Sequence, residues 1–344
     1  MSPAHLPDAA ASTAIDTPDQ ALPPATEIAA AYAHAMGRQP AEVQVSLQKR
    51  QRRFRKELVE IRVSTSPSSG AAETVLVGKR YTTTERGANA FRLLRYLAEQ
   101  GMSNSSLDVV RPVAYLDRWQ FLMMAKAAGR TVTDALLRAP NDEWPVRLAA
   151  RWLRRLHGIA PAPWMTPQVA SRAERDLPRI VRDLTAALPH EGDRIRALGR
   201  HLRAAEAPVS SPCTLHGDFH PENVLVDGDH VTVIDFDHGA VGDVMWDVGY
   251  FVGQLEVIAL ERLGGAERLR AAARAFVDEY FSGTLDASER TFRGRLEHSR
   301  VLTLLESLHY RCCILHVPGA GLAEQLLAEC ERALARRREH MDRS

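Results

Sequence analysis

The sequence predicts an α+β chain of two lobes, a small antiparallel sheet followed by a mostly helical body. Three observations predict it. Short apolar runs separated by polar turns fill residues 43–125. From Thr133 onward, apolar residues recur at helical spacing. Within that helical part the stretch from Leu215 to Tyr250 breaks the pattern. It carries two apolar runs, Val224 to Val226 and Val231 to Ile234, around an Asp-Gly turn, the signature of a tight β-hairpin.

Residues 1–24 are rich in Ala, Pro, Asp and Thr and short of large apolar side chains. Such a segment cannot bury much surface and reads as a disordered tail. Thr26 to Met36 reads as a short helix, with Thr26 as its cap and Ile28 and Tyr32 on one face. Strands follow at Val43 to Leu47, Glu57 to Val63 and Glu73 to Tyr81. Gln48 to Lys56 is then the loop joining the first two, and Ser64 to Gly70 a polar loop after the second. A helix starts near Thr84, shows Phe91, Leu94 and Leu97 on one face, and stops at Gly101. Two more strands, Val109 to Ala114 and Gln120 to Ala125, flank a turn at Asp117 and Arg118. The first lobe is therefore placed at 25–124 and the helical lobe at 125–344. In the second, Leu148, Trp152 and Leu156 form one stripe, Leu177, Ile180, Val181 and Leu184 another, and Ile195, Leu198 and Leu202 a third. Trp152 reads as core. Further helical runs carry Tyr250, Leu255 and Ile258; Leu269, Phe276 and Tyr280; Leu302, Leu305 and Leu308; and Leu322 to Leu334.

The hairpin has polar residues at its open end. His216-Gly217-Asp218-Phe219-His220-Pro221-Glu222-Asn223 leads into its first strand, and Asp235-Phe236-Asp237 follows its second. A hairpin folds back on itself, so Asn223 lies close to Asp235, with Asp218 on the loop leading in. Two carboxylates and an amide oxygen converge. Magnesium is a hard cation that takes one or two carboxylates together with phosphate oxygens. Asn223 and Asp235 can supply the protein share of such a site. Asp218, held off the metal, can accept the proton of an attacking hydroxyl. The plainer alternative is that Asp and Asn here only shape turns, which both favour, and that His216 braces the loop.

These residues resemble the catalytic loop and metal-binding motif of protein kinases, with Asp237 where a kinase has Gly. They resemble still more closely the aminoglycoside phosphotransferase and choline kinase-like family. That resemblance implies a two-lobe protein-kinase-like fold and phosphoryl transfer from Mg²⁺-ATP to a hydroxyl of a small molecule. It makes Asp218 the catalytic base and Asn223 and Asp235 the metal ligands. Lys79, on the strand Val75-Leu76-Val77-Gly78-Lys79, matches the lysine that holds the α- and β-phosphates, and Glu85 its ion-pair partner. The alternatives are a solvent-facing lysine and a surface acid at a helix N-terminus. Backbone groups of Met124 and Ala125 would meet the adenine. Asp247 resembles the acid that holds the catalytic-loop backbone and caps the next helix, with Asp243 in a similar role. The departure is Gln48 to Lys56, which contains no glycine where a glycine-rich loop would cover the phosphates. Its Arg and Lys side chains either reach the phosphates or form a solvated, charged hairpin.

The stretch between Asp237 and the next helix is too short to dock a polypeptide, which argues against a protein substrate. In the family the helical part after Tyr250 builds the acceptor pocket. Its acidic residues are matched by arginines, so nothing points to a polycation; His309 and Arg311 beside Glu306 are helix-surface charges by default, with recognition of a sugar or anionic acceptor as the alternative. The chain has 344 residues and a formal net charge of +1. No charge excess calls for a nucleic-acid partner, and no apolar run is long enough to span a bilayer. The N-terminus has no secretory pattern. Cys213, Cys312, Cys313 and Cys330 show no metal-ligand spacing and read as thiols of a reducing cytoplasm. The rival reading is a catalytically weak or silent kinase-like protein that senses nucleotide or serves as a scaffold.

Overall fold

A computed structural model of the chain describes residues 21–53, 56–65, 72–103, 105–168, 170–203, 212–282, 289–317 and 320–342. The expected tail lies almost wholly outside these residues. The chain begins with helix α1 (Ala25–Ala35) and strands β1 (Val43–Arg53), β2 (Lys56–Thr65) and β3 (Ala72–Arg80). Helix α2 (Thr84–Glu99), β4 (Leu107–Val109), β5 (Pro112–Leu116) and β6 (Phe121–Ala125) follow. The order β1-β2-β3-β6-β5 makes a five-stranded antiparallel sheet. Helix α1 covers one part of it through Ile28, Ala29, Tyr32 and Ala33, which pack with Ile61, Val63, Leu76 and Phe121. It has no side-chain cap, so Thr26 does not play that part; Pro24 stands at the N-cap.

Two boundaries differ from the sequence reading. Gln48 to Lys56 is not a loop over the phosphates. β1 and β2 stay paired from Val43↔Thr65 to Arg53↔Lys56, with a register shift between Leu47 and Arg50. Arg50 and Arg80 both pair with Glu57 across the strands. Cross-strand charge pairs of this kind let a basic run sit in a sheet. The second difference is the run from Val109, which divides in two. Leu107–Val109 pairs in parallel with His230–Val233, the second strand of the later hairpin, and Pro112–Leu116 pairs with β6. The break falls where Pro112 interrupts the chain and Val110 N–H turns to the carbonyl of Val233 (2.9 Å).

The rest is largely helical: α3 (Val132–Arg138), α4 (Trp144–His157), α5 (Arg172–Ala187), α6 (Gly192–Arg203), α7 (Met245–Arg262), α8 (Arg270–Tyr280), α9 (Glu289–His309) and α10 (Ala320–Asp342). Strands β7 (Arg130–Thr131), β8 (Cys213–Leu215), β9 (Val224–Asp227), β10 (His230–Val233) and β11 (Ala240–Gly242) are short. They form the sheet β4-β10-β9-β7 and the pair β11-β8. The amphipathic stripes read from sequence are buried: Leu148, Trp152 and Leu156 in one core, and Leu177, Ile180, Val181, Leu184, Ile195, Leu198 and Leu202 in another. This is the two-lobe, kinase-like architecture, an antiparallel sheet followed by a helical body. Among the described residues no helix is long and apolar enough to cross a membrane.

Candidate active site

The site is built on the hairpin β9–β10. Asp227 pairs with His230 and Val224 with Val233, so the turn is two residues, Gly228 and Asp229, with Gly228 at φ +57°. At the open end Ile234 N–H donates to the Asn223 carbonyl (3.0 Å). That bond sets Asn223 beside the residue preceding Asp235. The Asn223 side chain donates through Nδ2 to the carbonyl of Asp218 (3.0 Å). This fixes which end of the amide is nitrogen and leaves Oδ1 as the group available to a cation. Asp235 has φ +68°, a left-handed conformation that a non-glycine residue adopts only when its surroundings impose it.

Lys79 reaches this end of the hairpin from β3. Its Nζ lies 2.7 Å from Asp235 Oδ1 and 2.6 Å from Asp237 Oδ2. The Tyr81 hydroxyl donates to the other oxygen of Asp237 (2.7 Å). The expected Lys79–Glu85 ion pair is not formed. Glu85 is exposed in the first turn of α2. The acid that orients the lysine comes instead from Asp237, buried to 3% exposure of its side chain. The extra carboxylate in Asp235-Phe236-Asp237 was the signal in the sequence for this exchange. Met124 and Ala125 end β6, opposite Val77 and Leu76. The Ala125 N–H donates to the Arg111 carbonyl (2.9 Å), so that donor is not open to an adenine.

The catalytic loop is held from below. Asp247 accepts from His216 N–H and Gly217 N–H, both at 2.8 Å, and from His157 Nε2 (3.1 Å). With Nε2–H given to Asp247, His157 Nδ1 accepts from the Tyr280 hydroxyl (2.5 Å). Asp247 therefore supports the loop and does not cap the helix; the N-cap of α7 is Val244, and Asp243 just before it accepts from Met245 N–H (2.9 Å) and pairs with Arg295. His216 is fully buried. Asp218 N–H donates to its Nδ1 (3.2 Å), so Nε2–H donates to the Ile234 carbonyl (3.0 Å). Burial pushes its pKa down and keeps the ring neutral, as a scaffold requires. Gly217 has φ +75°, and a Cβ placed there would lie 2.0 Å from the carbonyl oxygen of His238. Gly217→Ala is expected to cost about 2 kcal/mol or more, from the left-handed backbone and the forced shift together. Thermal unfolding of the purified variant measures it; an unchanged melting point would show that the loop can yield.

Asp218 is half-buried above this support. Burial raises its carboxyl pKa, but His220, His238 and Arg172 outweigh burial and leave it below the ordinary carboxylate value. It is thus ionised and able to accept a proton. Burial, with the negative charges of Asp218 and Glu306 nearby, pushes the Tyr250 phenol up. Beside Asp218 opens a cavity of about 260 Å³, lined among others by Arg172, His238, Trp246, Tyr250 and Glu306. Arg172 pairs with Glu306 (2.8 Å). His309 and Arg311, expected near an acceptor, point elsewhere: His309 to Asp183 (3.1 Å) and Arg311 to Glu261. Sequence reasoning missed Arg172, which comes from a remote helix with no motif around it.

Solved structures share this fold at low identity. A choline kinase from Cryptosporidium parvum Iowa II superposes with a TM-score of 0.56 at 11% identity, over 88% of this chain and 91% of that one. An aminoglycoside phosphotransferase from Alicyclobacillus acidocaldarius gives 0.55 at 15%, over 88% and 95%. An amicoumacin kinase in complex with AMP-PNP, Ca²⁺ and Ami gives 0.52 at 16%, over 92% and 96%. Among curated proteins no sequence matches closely enough to serve as a relative. Residues 62–291, which contain Lys79, the catalytic hairpin and Asp247, match the profile of the phosphotransferase enzyme family, and the chain belongs to that family.

Proposed function

We propose that the protein transfers the γ-phosphoryl group of Mg²⁺-ATP to a hydroxyl of a small polar molecule. The observation that carries this reading is the meeting of Lys79, Asp218, Asn223 and Asp235 at one end of the β9–β10 hairpin, under the N-terminal sheet. The donor set fits a magnesium ion: one carboxylate, Asp235, and one amide oxygen, Asn223, leave most of the shell to phosphate and water. When bound, the ion neutralises charge on the phosphoryl group being transferred. Lys79 orients the α- and β-phosphates, and Asp237 with Tyr81 aims Lys79. Asp218 takes the proton of the acceptor hydroxyl, with the Asn223 amide, bonded to its carbonyl, fixing its place. Positioning and charge neutralisation account for most of the rate in such transfers. The nucleotide lobe is 25–124, with the purine against the end of β6 near Met124; residues 125–344 hold the catalytic loop and the acceptor. The short β11 connection after Asp237, paired with β8, leaves no platform for a polypeptide substrate. Four free cysteines suit a cytoplasmic enzyme, where ATP is available.

The test is Mg²⁺-ATP consumption by the purified protein across a panel of aminoglycosides, sugars, amino alcohols and hydroxy acids. Turnover with one class is expected, falling by about 10²-fold or more in Asp218→Ala. A second reading, a silent nucleotide sensor, has its support in the β1–β2 hairpin, which replaces a glycine-rich phosphate loop with paired strands. Absence of turnover together with absence of Mg²⁺-dependent nucleotide binding would favour it.

A further inference from the structure

Side chains from separate elements meet at one imidazole. Arg86, in the first turn of α2, donates from Nη2 to His238 Nε2 (2.7 Å). Arg172, the first residue of α5, donates from Nη1 to the same nitrogen (3.0 Å). Burial first, then Arg172, with a smaller part from Arg86, hold His238 down to about 4 against the opposing charges of Asp218 and Asp235, so the ring is neutral at pH 7. Two guanidinium groups therefore share one uncharged acceptor. Arg172 also has Glu306 as counter-ion. Arg86 has no carboxylate partner among the described residues. Holding two cations this close is unfavourable unless an anion joins them, and paired guanidinium forks are the usual recognition device for carboxylate and phosphate.

The cluster stands at the acceptor cavity. Arg172 and His238 line it, and so does the first turn of α5 through Ser171 and Ala173, which brings the positive end of a helix dipole to the wall. Gly217, next to Asp218 in the chain, and Tyr250, which feels the charge of Asp218, line the same cavity, so the cationic wall and the base lie side by side. At about 260 Å³ the cavity lies below the usual range for drug-sized ligands. A polycation would set its ammonium groups against Arg86 and Arg172, and the carboxylates that line the cavity, Asp237, Asp247 and Glu306, already have partners.

We propose that the acceptor is a small hydroxylated anion, its carboxylate or phosphate held by Arg86 and Arg172 beside His238 and its hydroxyl presented to Asp218. This rests on the phosphotransferase reading and names its acceptor class. The experiment separates the two by measuring binding as well as turnover. Isothermal titration of glycerate, glycerol phosphate, glycerol and choline into the protein saturated with Mg²⁺-AMP-PNP reads the anion preference without chemistry. Either anion is expected to bind more tightly than glycerol or choline, by on the order of tenfold or more. Glycerate against glycerol phosphate tells which anionic group fits. Arg86→Gln, on an exposed side chain, is expected to remove most of that preference; Arg172→Gln, which also frees Glu306, is the second variant. Anion-selective binding lost in Arg86→Gln, even with no turnover, supports the anion site while failing the kinase reading. Preference for choline or glycerol, no binding of either anion, or a preference unchanged in Arg86→Gln overturns the proposal.

Discussion

Asp235→Asn is expected to lower turnover by about 10³-fold while the protein stays folded. The variant keeps the backbone, because Asn is among the few residues that accept the left-handed φ of +68° found there. It also spares Lys79 the loss of both partners, since Asp237 remains 2.6 Å away. What disappears is the negative charge on the ligand that a hard cation values most. In a transfer whose rate comes from charge neutralisation and alignment, removal of that charge acts on the step itself. The effect should be at least as large as that of removing the base, because a loose transition state asks less of a base than of the groups that balance phosphate charge. Paired measurements of turnover and of Mg²⁺-dependent AMP-PNP affinity test this: both should fall in Asp235→Asn, and turnover alone in Asp218→Asn. Near-normal turnover in Asp235→Asn would remove Asp235 from the metal site.

What the sequence made legible follows from how far each feature is local. The hairpin was readable because its turn, its two apolar runs and its flanking polar residues lie within one short stretch, and the folding-back of Asn223 onto Asp235 is a consequence of strand pairing alone. The helical stripes were readable for the same reason. The partner of Lys79 was not. Lys79 sits on β3 while Asp237 follows the hairpin, and the choice between Asp237 and Glu85 depends on where α2 starts relative to the sheet, which no periodicity encodes. Asp237 stood in the sequence as an odd residue in the place of a glycine, yet its meaning needed the distance. The run from Gln48 to Lys56 misled because the flanking strands were ended at Leu47 and begun at Glu57, which left it as the connecting loop. Paired against β2, with Glu57 serving both Arg50 and Arg80, residues 48–53 continue the first strand. Arg86, Arg172 and His238 are the extreme case: separate elements, no shared motif, and a cluster only in three dimensions.

Asp247→Asn is the second large effect, and it acts on the support rather than the chemistry. Asp247 is 1% exposed and uses both oxygens, Oδ1 for Gly217 N–H and Oδ2 for His216 N–H and His157. An amide has one oxygen. If it serves His216 and His157, its NH₂ faces the Gly217 N–H, a donor against a donor, and a buried N–H is left without a partner at a cost of about 1–3 kcal/mol. The peptide that loses its acceptor is the left-handed one immediately before Asp218, so the base shifts while Asp235 does not. Asp235 and the Asn223 backbone keep their places through the Ile234–Asn223 bond, which Asp247 does not touch, and only the Asn223 amide, bonded to the Asp218 carbonyl, feels the shift. Turnover should therefore fall by on the order of 10²-fold, the usual scale for a displacement of about 1 Å at a reacting group, with Mg²⁺-AMP-PNP affinity nearly unchanged and the melting temperature lowered. A parallel fall in nucleotide affinity would mean that His216, bonded to both Asp218 N–H and the Ile234 carbonyl, moves the loop and the hairpin as one body. In that case the base and the metal site are a single mechanical unit, and His157 and Tyr280 beneath Asp247 become part of what positions both.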